Sequence, residues 1–191
     1  ANRANEIVRA LDLAKEYNLK AIIAGGQEAA PFVGRLKAQD TSVLLSLNFP
    51  KRTTAAAPDA DPETMETLRF RAETPKTAGK LAAAGVKFAF QGGGATAVND
   101  ILANAVKSTE NGLSKDAAVR AMTLSAAEIF GVSDRLGSVE TGKIANLTVV
   151  KGDLFGNQKT VTHVFVDGVL FEPKPPAQPQ GGRGLLRGGG M

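Results

Sequence analysis

Residues 86–94, VKFAFQGGG, form a short apolar run that ends in three glycines, and a helix is predicted from about Thr96. The run predicts a buried strand that passes directly into that helix. In proteins of alternating strands and helices, chemistry is usually placed at the carboxyl ends of the strands. Here that position holds Gln91 and bare backbone, without a carboxylate, an imidazole or a thiol. This absence limits the catalysis that the segment can provide by itself.

Shorter strand and helix patterns alternate along the chain before this stretch. Apolar residues recur at helical spacing in residues 5–17 and again in residues 28–38. Two short apolar runs, residues 21–24 and residues 42–47, predict strands. Strands and helices that alternate through short connections favour parallel pairing with right-handed crossovers. The sequence therefore predicts an α/β fold built on a parallel sheet.

Proline and small polar residues mark the helices predicted further along the chain. Residues 61–63, DPE, and residues 74–75, TP, each predict a helix start, because an Asp or Thr can cap free amides and Pro suits the first turn. Ser114 predicts another start, and residues 125–128, SAAE, fit a capping box. Residues 49–60 form a loop long enough to be either a functional lid or a plain surface excursion.

The character of the sequence changes after residue 135. Short alternating or apolar runs at residues 146–150 and 160–166 predict strands, and Asp167-Gly168 predicts a tight hairpin. The last residues are rich in Pro and Gly and predict disorder. The chain is therefore expected to divide into an α/β body at residues 1–135, a small β domain at residues 136–172 and a disordered tail at residues 173–191.

Composition excludes several classes of partner and site. The 191 residues include no cysteine and one histidine, so neither disulfides nor thiolate metal sites can form. No run approaches the roughly 20 apolar residues of a membrane span, so we expect no membrane partner. Three of the four net positive charges belong to the tail, at Lys174, Arg183 and Arg187. The rest of the chain is nearly neutral, so we expect no nucleic-acid partner either.

The ends of the three predicted strands carry the polar groups that could form a site. If the strands are parallel neighbours, these ends meet at one edge of the sheet. Glu28 is either a general base or a first-turn acid that favours the helix dipole. The glycines either permit tight turns or present amides to an anion. The candidates to line a cleft at this edge are Gln27, Glu28, Asn48, Gln91, Gly92 and Gly93.

The single histidine offers little chemistry. His163 lies in the small β domain, far along the chain from every predicted strand end and without a ligand partner nearby. We interpret it as a structural residue. Hydrolysis by a Ser–His–Asp triad is excluded within this segment, because no second histidine exists to serve the strand ends. The residues alone therefore assign no catalytic group.

Three motifs near the carboxyl end resemble one family in their order and spacing. They are residues 123–131, TLSAAEIFG, residues 137–150, GSVETGKIANLTVV, and residues 161–168, VTHVFVDG. Together they resemble the C-terminal end of the amidohydrolase superfamily, and residues 1–94 look like the second half of the barrel of imidazolonepropionase-like members. The resemblance implies the C-terminal half of a (β/α)8 TIM-type barrel plus a small β-sandwich-like domain. It also implies that the first barrel half and the true N-terminus precede Ala1.

The resemblance further implies a metal site that this segment does not complete. Active members place a metal-ligand histidine at the tip of the sixth strand and a catalytic aspartate at the tip of the eighth. Those positions fall near Gly25 and near Gly92 or Gly93, which have no side chain to offer. A hydrolytic zinc needs about three protein ligands and an open position. We therefore expect no metal ligand in this segment, and a zinc-type divalent metal is left to the full-length protein.

Two functions follow from the resemblance. The first is hydrolysis of a non-peptide C–N bond in a cyclic or linear amide by the longer chain, with a small amide as substrate and this segment inactive alone. The alternative is a non-catalytic homologue that serves as a binding or pairing scaffold. A half barrel leaves open strand edges, so we expect aggregation or pairing, either as a homo-oligomer or with a partner amidohydrolase chain.

Overall fold

The computed structural model describes residues 1–52, 63–92 and 98–172. Most of the predicted loop at residues 49–60, the predicted helix start at Thr96, Gly93 and the tail at residues 173–191 lie outside these ranges. The α-helices are α1 (Ala4–Glu16), α2 (Val33–Ala38), α3 (Met65–Glu73), α4 (Thr77–Ala83), α5 (Val98–Glu110), α6 (Lys115–Met122) and α7 (Leu124–Ile129). The strands are β1 (Ile22–Gly25), β2 (Ser42–Ser46), β3 (Phe88–Gln91), β4 (Leu147–Gly152), β5 (Lys159–Val166) and β6 (Val169–Phe171). Short 3₁₀ helices at Ala30–Phe32 and Thr74–Lys76 lead into α2 and α4.

The first three strands form a parallel sheet in the order β1-β2-β3. Gly25 pairs with Leu45 at the end of β1, and Ser46 pairs with Gln91 at the end of β2. The outer side of β1 is bonded by Ala1, whose amino group donates to the Ala24 carbonyl and whose carbonyl accepts from the Gly26 amide, both at 2.8 Å. The prediction of an α/β fold on a parallel sheet is confirmed. The carboxyl ends of all three strands lie at one edge.

The core lies between this sheet and the helices that cover it. The central strand buries Val43 and Leu45, and α1 turns Ile7 and Leu11 onto the same cluster at helical spacing. Leu81 of α4 is also fully buried there. Each such side chain contributes about 1.5 to 3 kcal/mol of hydrophobic free energy when it leaves water. The helical periodicity of the sequence therefore marks the faces that hold the sheet in place.

Helix starts follow local capping, and one of the predicted starts is wrong in detail. Ser114 caps α6 as predicted, and its Oγ accepts the Ala117 amide. Of the start predicted at residues 61–63, only Glu63 is described; helix α3 begins at Met65, and its cap is Thr64, whose Oγ1 accepts the Thr67 amide. The predicted capping box at residues 125–128 is wrong. Helix α7 already begins at Leu124, and Ser125 is buried within it.

The last three strands form an antiparallel sheet in the order β4-β5-β6. Asp167 and Gly168 both have positive φ, 50° and 81°, which a two-residue hairpin of this kind requires. The predicted hairpin is therefore confirmed. The Asn146 side chain fixes it further, because Oδ1 accepts the Asp167 amide at 2.7 Å.

The small sheet is joined to the α/β body by packing rather than by a linker alone. Phe155, between β4 and β5, is buried in the same cluster as the residues of the parallel sheet. Lys115 at the start of α6 forms an ion pair with Asp153. The division at residue 135 remains a prediction. No helix in the described ranges is long and apolar enough to cross a membrane.

We expect Leu45→Ala to lower the free energy of unfolding by about 2 to 5 kcal/mol, because it removes a central side chain that is 1% exposed and leaves a cavity. Urea denaturation of the complete protein measures the change. Leu19→Ala is the matched control, since Leu19 is 57% exposed, and it should shift the transition by much less. Equal losses for the two variants would contradict the placement of Leu45 at the centre of the core.

Candidate active-site edge

The carboxyl ends of β1 and β2 are joined by the Gln27 side chain. Its Nε2 donates to the Asn48 carbonyl at 2.7 Å, and its own backbone carbonyl accepts from Thr77 Oγ1 at 2.9 Å. Gln27 is 8% exposed, and its Oε1 accepts no hydrogen bond from the residues that the structure describes. Gln27 therefore holds two strand ends and α4 together while one polar atom stays without a protein partner.

Glu28 serves the amino end of α1. Its Oε2 accepts the Ala4 amide at 2.7 Å, and its Oε1 accepts from Arg3 Nη1 at 3.0 Å. The first amides of a helix have no partner within the helix, so a carboxylate there supplies the missing acceptor and favours the helix dipole. Both oxygens are thus engaged, which disfavours a role as a free general base.

Asn48 is the exposed member of the group. Its backbone amide donates to Ser46 Oγ at 3.2 Å, and its carbonyl is held by Gln27. The preceding Leu47 carbonyl accepts from Asn104 Nδ2 at 2.8 Å. Gln91 is turned back on the sheet, where its Nε2 donates to the Leu44 carbonyl at 2.9 Å. The four predicted polar residues share one edge, but three of their side chains bond within the protein.

Asn104 was not singled out in the sequence. It is 4% exposed and lies on the buried face of α5, beside Ala105 and Ser108. An amide at a position where helical spacing requires an apolar residue is the signal that could have found it, because a buried polar side chain must have a partner. Its partner is the backbone that leads into Asn48.

At this edge, the positive φ angles and the short distances to neighbouring atoms favour glycine. Gly25 and Gly26 have φ of 111° and 60°. A Cβ on Gly25 would meet the Asn2 side chain and would lie 2.9 Å from the Ala1 carbonyl oxygen. A Cβ on Gly92 would lie 3.2 Å from Ile101 Cδ1. These observations support the tight-turn interpretation for β1, while Gly93 lies outside the described residues.

The described residues do not fit a zinc-type ligand set. Within residues 1–52, 63–92 and 98–172, no group of three or more His, Cys, Asp or Glu side chains could hold a metal ion. His163 lies on β5 of the second sheet, exposed, with Nδ1 3.1 Å from Thr162 Oγ1 and its ring stacked on Phe165. It therefore takes no part in the edge formed by the parallel strands.

A pocket of about 460 Å³ lies beside the end of β1. Gln27 and Glu28 form part of its wall, α3 and α4 form another part, and the amino end of α1 completes it. Its apolar surface comes from Ala4, Ala30, Pro31 and Phe70. This volume is within the range of small-molecule sites, about 300 to 1,000 Å³. Two of the predicted cleft residues thus line a cavity of ligand size.

Charged side chains surround this pocket in pairs. The guanidinium of Arg3 lies 4.3 Å from the ring centre of Phe70 and also contacts Glu28 and Glu66. Hydrogen bonds from Lys76 and then Lys80 lower the pKa of Glu73, another residue of the pocket wall, from 4.5 to about 2. The carboxylates of the pocket are therefore paired with cations, and the lowered pKa of Glu73 keeps that group ionised at neutral pH.

The model of the amidohydrolase family matches residues 1–171. The chain belongs to the amidohydrolase family. Among solved structures, an amidohydrolase from Thermotoga maritima is 27% identical with a TM-score of 0.73, over 91% of this chain and 42% of that one. A Xaa-Pro dipeptidase with bound methionine is 23% identical with a TM-score of 0.63, over 91% and 44%. A prolidase complexed with N-methylphosphonate-L-proline is 21% identical with a TM-score of 0.62, over 87% and 43%.

This amidohydrolase chain spans less than half the length of the solved structures that it matches. The mixed α/β fold with its parallel sheet matches the TIM-barrel-type architecture of those neighbours. No functionally curated protein matches the sequence. The match of the family model establishes the family, while the subgroup within it remains a prediction.

We expect Glu28→Ala to lower the free energy of unfolding by about 1 kcal/mol, because the Ala4 amide loses its acceptor. Glu28→Gln should cost less, since the amide oxygen can still accept that bond. Urea denaturation of the complete protein separates the two variants, with Glu16→Ala as a control on the exposed end of α1. If both Glu28 variants match the wild type in stability, Glu28 does not support α1.

Melting temperature should reveal the ionised state of Glu73. Because its pKa is lowered to about 2 in the folded protein, its ionised form stabilises the fold fully above pH 4.5, and this contribution disappears as the pH falls through about 2. Glu73→Gln should therefore melt below the wild type at pH 7, and the gap should close towards pH 2. A gap that does not change with pH would contradict the pairing with Lys76 and Lys80.

Proposed function

We propose that the complete protein hydrolyses a non-peptide C–N bond in a small cyclic or linear amide, and that this chain supplies one wall of the substrate cleft. The observation that carries the proposal is the 460 Å³ pocket at the carboxyl end of β1, lined by Gln27 and Glu28 in a chain of the amidohydrolase family. Ligand sites of parallel α/β folds occupy this edge. The resemblance of residues 1–94 to imidazolonepropionase-like members favours a cyclic amide.

The contribution of this chain is binding and orientation rather than proton transfer. Glu28 is held by Ala4 and Arg3, so it is poorly placed to take a proton from water. Gln27 is fixed through Nε2 and presents Oε1 as an acceptor. The reacting groups, and a zinc-type divalent ion if the complete protein binds one, would then come from outside the described residues. The segment alone is expected to be inactive.

The second candidate function is a non-catalytic scaffold that pairs with a second copy or with a partner amidohydrolase chain. The observation that favours it is the small sheet, where large apolar side chains are exposed on neighbouring strands. Exposed apolar surface of this kind marks interaction sites. The exposed residues are Val149, Val161, Val166, Val169, Leu170 and Phe171.

A combined assay of the complete protein tests the first function. We expect stoichiometric zinc by mass spectrometry and hydrolysis of amides from a panel of hydantoins, lactams and N-acetyl amino acids, with activity lost after chelation and restored by zinc. Gln27→Leu should reduce the activity about tenfold or more, because Asn48 loses its bond and the acceptor in the pocket is removed. A metal-free, folded protein without amide hydrolysis would exclude this function and favour the scaffold.

Light scattering after size exclusion tests the second function. A stable dimer, or a complex with an active amidohydrolase, should dissociate when Val169 and Phe171 are both replaced by Ser, since both are more than half exposed and the change removes apolar contact area. Val139→Ser provides a control on an exposed residue outside the strands. A monomer at all concentrations, unaffected by either change, would contradict the scaffold.

A further inference from the structure

The pocket beside β1 holds a cation without a partner. Its walls include the carboxylates of Glu28, Glu66 and Glu73, and each of these is bonded by Arg3 or by the lysines of α4 and the turn before it. Arg69 of α3 also lines the pocket. In the part of the chain that the structure describes, no group forms a hydrogen bond or an ion pair with its guanidinium. The pocket therefore has, at its solvent-exposed side, one arginine that no carboxylate of the described residues pairs with.

The same pocket contains an acceptor without a donor. Gln27 is more than nine-tenths buried, and its amide orientation is fixed because Nε2 donates to the Asn48 carbonyl. Its Oε1 has no donor among the described residues. Gln27 Oε1 itself is not fully buried, so a ligand N–H can reach it and form the hydrogen bond that the described residues leave open.

Between these polar groups, the wall is apolar. Phe70 is held in place by Arg3, which covers its ring at 4.3 Å, and Pro31 is fixed in the 3₁₀ helix before α2. Ala4 and Ala30 leave room because their side chains are small. An aliphatic or aromatic body fits this surface, and its contact with the wall supplies hydrophobic free energy.

We propose that this pocket binds a small carboxylate that has an apolar body and an N–H donor, with Arg69 pairing with the carboxylate and Gln27 Oε1 accepting the N–H. Arg69 selects the anionic form of the ligand, because its planar guanidinium matches a carboxylate with two parallel hydrogen bonds. Gln27 distinguishes ligands that carry a donor from those that do not. The site is independent of whether the complete protein hydrolyses amides, since it requires recognition alone.

Isothermal titration calorimetry of the complete protein tests the site with ligands that an amide hydrolase does not cleave. The probes are N-methanesulfonyl-L-leucine, its neutral carboxamide, and its N-methyl derivative, which has no N–H. We expect the acid to bind at least tenfold more tightly than either of the other two. Arg69→Gln should remove the preference for the acid over the carboxamide and leave binding of the carboxamide unchanged. Arg69→Lys should retain part of the preference.

Arg9→Gln is the matched control, because Arg9 is an exposed arginine of α1 that lies outside the pocket. It should leave all three dissociation constants unchanged. An equal affinity for the acid and the carboxamide in the wild type, or the same preference in Arg69→Gln, would overturn the proposal, as would the absence of binding by every probe. Binding that depends on Arg69 in a protein without amide hydrolysis would refute the proposed hydrolase and leave this site standing.

Discussion

The hydrogen bond from Gln27 to the Asn48 carbonyl joins the ends of β1 and β2 at the carboxyl edge. Parallel strands that end in turns leave backbone carbonyls without a partner, and here a buried side chain supplies the donor at 2.7 Å. The bond from Thr77 to the Gln27 carbonyl extends the connection to α4. Without the Gln27 side chain, this direct bond between the ends of β1 and β2 would be lost. The same bond holds part of the wall of the pocket beside β1, because Gln27 lines that pocket.

Much of the fold can be predicted from residue pattern, because burial imposes the pattern. The short apolar runs of β1 to β3 and the helical spacing of Ile7 and Leu11 are direct consequences of a core that must exclude water. The hairpin at Asp167-Gly168 is equally direct, since positive φ at two successive residues selects a narrow set of side chains. These features are local or periodic, and a single sequence contains all the information that they need.

The contacts of the polar side chains at the carboxyl edge are harder to predict from the sequence pattern. Whether Gln91 faces a cleft or the Leu44 carbonyl depends on which backbone group lacks a donor after folding. The contact between Glu28 and the amino end of α1 joins residues that are 24 positions apart. Asn104 is further away still from the strand end that it supports. Helix α7 begins one residue earlier than the expected cap because Thr123 closes α6 and caps α7 at once. Each of these outcomes depends on tertiary neighbours that the pattern does not specify.

The contact between Gly25 and the first two residues limits which substitutions this edge can accept. A larger residue at position 25 would meet Asn2 and the Ala1 backbone, and it would also have to adopt a φ of 111°. A histidine could therefore not be accepted there by one substitution. The Asn2 side chain would have to shrink and the strand end would have to relax in the same step. Steric coupling of this kind makes the order of mutations matter, so the neighbours of this glycine protect it against replacement by a larger residue.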